Sequence, residues 1–178
     1  MAIDAITINR APVLTLWAAI VAERLGFTHD EALTLGRAVA GLNAYSKGRA
    51  LGLFKPTPKE VHAKREAKAK GKEVLQVELL HRAVPVVRTP EGLRALSKER
   101  PVAPASVERY LSSKFNDALS PVSAAMAELA DSRDTEELAA EAYGLYEQFR
   151  PAVPAGGSGW GAAGTLSLAK IRKLAKEK

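Results

Sequence analysis

The 178-residue chain is 47% hydrophobic and 26% charged, the balance of a globular protein and far from that of a disordered one. It contains no cysteine, which excludes disulfides, thiolate metal sites and a cysteine nucleophile. The net charge of +6 is unevenly placed: residues 1–45 and 101–178 each carry −1, whereas residues 46–100 carry +8.

Near the N-terminus the apolar run Ala11–Ala22 is closed by Glu23 and Arg24. It is too short to span a bilayer, and it lacks the charged leader and clear cleavage site of a signal peptide. We read it as a buried helix of a soluble, cytoplasmic protein. The helix spans Pro12 to Leu25, with Leu14, Trp17, Ala18, Val21 and Leu25 at helical spacing and Gly26 placed to end it. Thr28-His-Asp-Glu31 has the spacing of a capping box, with Phe27 as a hydrophobic staple. The helix it opens runs to about Ala44 and carries Ala32, Leu35, Val39 and Leu42 on one face. The two helices form an antiparallel or angled pair, and their small residues permit close approach.

Ser46–Phe54 reads as a loop with a basic front, in which Ser46-Lys47-Gly48-Arg49 offers an anion a glycine turn and two cations. Thr57-Pro58-Lys59-Glu60 is a second capping box, opening a helix over Lys59–Lys70 whose one large aliphatic residue is Val61. A helix polar all round is not held by core packing; it bridges solvent or is ordered by a charged ligand. Over Lys72–Thr89 the period changes to two, predicting a β-hairpin interrupted at His81-Arg82-Ala83, with Pro85 confining its second strand to an edge. Thr89-Pro90-Glu91 is expected to start a short helix through Leu96, followed by a connector over Lys98–Ala105.

The last third reads as helices over Ser106–Leu119, Pro121–Ala130 and, capped by Asp134/Thr135, through Phe149. A loop rich in proline and glycine, Arg150–Gly164, leads to Ser167, which caps a short basic helix over Leu168–Lys176. The expected fold is therefore mainly α: a helical bundle with one small β-hairpin. Residues 1–100 supply the helical pair, basic helix and hairpin, and residues 101–178 a helical part packed on them. The order helix, helix, basic helix, hairpin is that of a winged helix-turn-helix, which makes the N-terminal half a winged-helix candidate. Two features oppose it: Val61 gives the basic helix little to dock with, and the linker from Ala44 to Thr57 is long.

A positive field confined to one stretch acts on partners rather than on the fold, and nucleic acid is its commonest partner. The candidate nucleic-acid-binding residues are Lys47, Arg49, Lys55, Lys59, Lys64, Arg65, Lys68, Lys70, Lys72 and Arg82. No aromatic residue lies between Lys55 and Arg109, which favours contact with a duplex backbone over stacking on a single strand. The alternative is a helical protein-interaction or self-assembly module, with a protein partner or a second copy, whose basic face is merely solvated.

No catalytic, metal or cofactor site is expected. Gly159-Trp-Gly161-Ala-Ala-Gly164 matches a dinucleotide-binding string but follows no strand and has no acidic residue about 20 positions on; Trp160 there is a gap filler. His29, His62 and His81 have no metal-ligand spacing, and Asp131, Asp134, Glu136 and Glu137 read as helix-end carboxylates. An enzyme using Ser46–Arg49 on a small phosphorylated substrate is the third reading, with no acid, base or nucleophile to accompany the cations.

The stretches INRAPVLTLWAAIVAERLGF, ALTLGRAVAGLNAYSKGRALGLF, TPEGLRAL, SVERYLSSKF and YEQFRPAVPAGGSGWGAAG resemble a family of short uncharacterised bacterial hypothetical proteins with no assigned activity. The resemblance runs from Ile8 to about Ala175 and implies a whole, self-contained protein. It supplies no catalytic residue, cofactor or fold.

Overall fold

The computed structural model describes residues 4–50, 74–97, 100–151 and 164–177, with side chains placed for all of these except 43–50 and 97. The first helix, α1 (Arg10–Arg24), is buried at every residue from Pro12 to Ala19 and again at Val21 and Ala22. Its sequence is apolar on all sides rather than along one stripe, and a helix of that kind belongs at the centre of a fold. Around it pack α2 (His29–Ala50), α4 (Leu119–Asp131) and α5 (Thr135–Phe149). Trp17 fixes the α5 side: its indole N–H donates to the Ala142 carbonyl at 2.9 Å, and its ring meets Phe149 edge-on at 5.3 Å.

The turn from α1 to α2 follows the expected chemistry. Gly26, at φ 114, lets the amides of Gly26 and Phe27 close back onto the carbonyls of Glu23 and Ala22, both at 3.1 Å. Thr28 and Glu31 then form the capping box in both directions, backbone N–H to side-chain oxygen, at 3.0 and 3.2 Å. Where α2 crosses α1, a Cβ on Gly36 would run into the Thr15 carbonyl oxygen and lie 3.0 Å from the Ala19 nitrogen, so only glycine allows that approach. The second helix does not end near Ala44 but continues to Ala50. The polar residues Ser46–Arg49 have adequate helix propensity, and Gly48 alone is too weak a breaker to stop a helix already propagating.

The sheet is larger than one hairpin. Strands β2 (Val74–Leu79), β3 (Arg82–Thr89), β4 (Gly92–Ser97) and β5 (Arg100–Pro101) form an antiparallel meander in that order. The helix expected to begin at Thr89 is a second hairpin, with Thr89 paired to Gly92 around Pro90-Glu91. Proline sets the first turn residue, and Gly92, at φ 123, takes the left-handed position that restarts the strand. Thus β3 is central rather than an edge, which corrects the placement of its proline. Pairing Leu79↔Arg82 and alternating from there directs the Pro85 nitrogen away from β2, one position beyond the last β3–β4 pair, Val86↔Ala95. The missing N–H falls where no ladder bond is needed.

In the last third, α3 (Pro104–Phe115) starts two residues earlier than expected, with proline in its first turn. It stops before Leu119 because Asn116 turns to φ 51; a 3₁₀ turn, Asn116–Ala118, then leads into α4. Asp134 caps α5 through the Glu137 amide at 2.8 Å, and Ser167 caps α6 (Leu168–Lys176) through the Lys170 amide at 3.2 Å. A pairing not anticipated joins the chain's two ends: β1 (Ala5–Ile8) runs antiparallel to β6 (Gly164–Ser167). One hydrophobic core, from Ile8 to Leu174, takes residues from both halves of the chain. Among the described residues, no helix is long and apolar enough to cross a membrane.

Candidate nucleic-acid interface

The basic stretch is bracketed by two elements of the core. Lys47 and Arg49 lie on the last turns of α2, so Ser46–Arg49 is helical backbone and not the glycine turn proposed for an anion. Lys55, Lys59, Lys64, Arg65, Lys68, Lys70 and Lys72, with the expected helix Lys59–Lys70 and the loop residues beyond Ala50, lie outside the described residues, as does Trp160. The chain re-enters at Val74 on β2.

Arg82 opens β3 and is half-buried. Its guanidinium carbon stands 6.0 Å from the centre of the Tyr143 ring, so this cation is turned toward α5. Arg94 is buried and donates to the carbonyl of Leu93 at 2.9 Å. Arg88 and Arg100 are exposed. Among the described residues neither makes an ion pair. The ion pairs among the described residues lie in the helical parts: Arg24 with Asp131 at 3.3 Å, Arg133 with Glu141 at 3.4 Å, His29 with both Glu23 and Glu108 at 3.1 Å, and Lys173 with Glu177 at 4.0 Å.

A second group of cations lies outside the stretch that composition singled out. Arg37, exposed on α2, places its guanidinium carbon 5.1 Å over the ring of Tyr110 on α3. Lys114, one turn further along α3, brings its ammonium to 6.0 Å from the same ring. Burial raises the Tyr110 phenol pKa, and the Arg37 charge acts against that shift. Charge summed over long stretches passes over these two cations, because residues 1–45 and 101–178, in which they lie, each total −1; the i, i+4 spacing of Tyr110 and Lys114 is the one local signal.

The remaining candidates have structural work. His29 and the carboxylates Asp131 and Asp134 hold helix ends, and among the described residues no group of three or more His, Asp or Glu is arranged to hold a metal ion. A cleft of about 220 Å³ beside the β2–β3 turn is lined by Val21, Leu25, Glu78, Leu79, Leu80, His81 and Ala139. Its lining has one histidine and one acid but no lysine or arginine, so it offers no cluster of cations to a phosphorylated substrate. No protein-family model, curated protein or solved structure matches this chain.

Proposed function

We propose that this protein binds nucleic acid, duplex DNA in the first instance, through the basic stretch that α2 leads into and β2 leads out of, and performs no chemistry on it. The observation that carries the reading is the charge of residues 46–100, +8, together with the exposed Arg88 and Arg100, which no carboxylate neutralises among the described residues. Lysine and arginine in this role grip phosphates without choosing sequence. In this reading the N-terminal half works as a winged helix: α1 and α2 are the supporting pair, the sequence between α2 and β2 supplies the cations, and the β2–β3 hairpin is the wing, broadened by β4 and β5.

Titrating salt against binding to mixed-sequence duplex tests it. Each neutralised phosphate contributes about 0.9 to the slope of log affinity on log salt. Replacing Lys64, Arg65, Lys68 and Lys70 by glutamine should weaken binding equally for all sequences and flatten that slope. No binding at low salt, or binding indifferent to salt, defeats the reading.

A second reading is a self-assembling or partner-binding module. One observation favours it: β2 is the outermost strand of its sheet among the described residues, and an open edge is a template for a further strand. Sedimentation velocity separates the two, since a monomer at all concentrations counts against assembly.

A further inference from the structure

We infer that Arg37, Tyr110 and Lys114 form a second nucleic-acid contact, continuing the phosphate path from the basic stretch onto the helical body. The inference rests on the nucleic-acid reading above and extends it to residues that composition did not mark. Two cations share one aromatic ring, at 5.1 and 6.0 Å from its centre. Among the described residues, neither is in an ion pair. Two acids are close to this group in sequence. Glu108 on α3 is bound by the His29 ring at 3.1 Å, and Asp117 lies on the 3₁₀ turn beyond the break at Asn116.

Both cations are exposed, and contact with the ring limits the rotamers each must surrender on binding an anion. The placement also fits a continuous ligand. Arg37 and Lys47 are ten residues apart on the single helix α2, hence about 15 Å along its axis at 1.5 Å per residue. That distance is about four base-pair steps of a duplex at 3.4 Å each. A duplex backbone lying along α2 would meet Arg37 and Lys114 at one end and the last turns of that helix at the other. A small anion would occupy only one of the two places.

The test compares salt titrations of duplex binding for the wild type, R37Q/K114Q, the charge-keeping R37K/K114R, and a basic-stretch variant, K64Q/K68Q/K70Q. The neutral double variant should retain the wild-type melting temperature and lose up to about 1.8 from the salt slope, about 0.9 for each phosphate. R37K/K114R should keep the wild-type slope. If R37Q/K114Q binds like the wild type while the basic-stretch variant weakens, this contact does not exist and the wider reading survives. If R37K/K114R loses as much as R37Q/K114Q, the effect is not one of charge and the contact is again refuted. If the wild type does not bind at low salt, both inferences fall.

Discussion

The carboxylate of Glu31 accepts the backbone amide of Leu93 at 2.9 Å, across 62 positions of sequence. Beside it, the Thr34 hydroxyl accepts the Ala95 amide at 3.1 Å, so side chains of α2 satisfy the edge of β4 that β5 is too short to cover. Glu31 also serves its own helix as the capping-box partner of Thr28. One side chain thus fixes where α2 begins and how the sheet docks on it. Replacing it with alanine should cost about 1–3 kcal/mol, the sum of a lost cap and a stranded amide. A urea midpoint lowered with unchanged slope is the expected readout.

The same carboxylate has a pH signature. Hydrogen bonds from the amides of Thr28 and Leu93 hold its pKa below the ordinary carboxylate value. A pKa lowered by folding gives stability that is full above the unfolded value and disappears as pH falls through the folded one. The stability gap between wild type and E31A should therefore be widest near neutrality and close on acidification. A gap that stayed constant down to strongly acid pH would show that the charged form contributes nothing.

At the α1–α2 crossing the two glycines of α2 make opposite predictions. Gly36→Ala puts a methyl into the Thr15 carbonyl, and the helices must part; about 1–3 kcal/mol should be lost, or more if the crossing cannot adjust. Gly41→Ala meets nothing within 4 Å and should gain about 0.5–1 kcal/mol through helix propensity alone. Thermal melts of the two variants should move in opposite directions. Equal shifts would mean that the crossing yields to a methyl group without cost.

These particulars also show what the sequence disclosed. Capping chemistry was legible: Thr28-Glu31, Asp134, Ser167 and Gly26 all act locally, and each sits where residue type and spacing place it. The second hairpin was missed because Thr89-Pro90-Glu91 satisfies a helix start as readily as a turn; Gly92, three positions after Thr89, was the discriminating residue. Pro85 by residue type alone marks an edge strand, whereas a proline needs only one ladder position free. The β1–β6 ribbon pairs segments about 160 positions apart, and strands of four residues leave too short an alternation to detect. The candidate site was legible as charge but not as geometry: composition marked the +8 stretch, while Arg37 and Lys114 become a pair only because α2 and α3 pack side by side.

His29 predicts a pH dependence of the other sign. Its two ring nitrogens each lie 3.1 Å from a carboxylate oxygen, Nδ1 from Glu23 at the end of α1 and Nε2 from Glu108 on α3. A neutral imidazole has one N–H, so both contacts are hydrogen bonds only in the imidazolium form. Burial disfavours the charge, but the bonds to Glu108 and Glu23 outweigh it and raise the pKa. Stability from a raised pKa is full below the ordinary imidazole value and is lost as pH climbs through the folded one. Because the ring is 58% exposed, the clasp is worth under about 1 kcal/mol. An NMR titration should show a His29 midpoint above that of a free imidazole, lowered by Glu108→Gln. A midpoint at or below that of a free imidazole would sink the clasp.

The turn between β2 and β3 sets backbone preference against burial, and its two residues resolve the conflict differently. Leu80 and His81 both adopt left-handed conformations, at φ 49 and 60, in a two-residue hairpin where asparagine and glycine are preferred. Leu80 is 3% exposed, belongs to the hydrophobic core and lines the cleft together with Val21 and Leu25 of the α1 end, so its burial offsets the strained backbone. His81 is exposed and has no comparable return. His81→Gly should therefore stabilise the protein by about 0.5–1 kcal/mol. Leu80→Asn should destabilise it by about 2 kcal/mol or more despite suiting the turn, because the lost apolar contacts exceed the relieved strain. Chemical denaturation of the pair decides the matter. If Leu80→Asn proved the stabilising change and His81→Gly the harmful one, turn preference would outweigh packing here, and Leu80 would not be the residue that anchors the hairpin to α1.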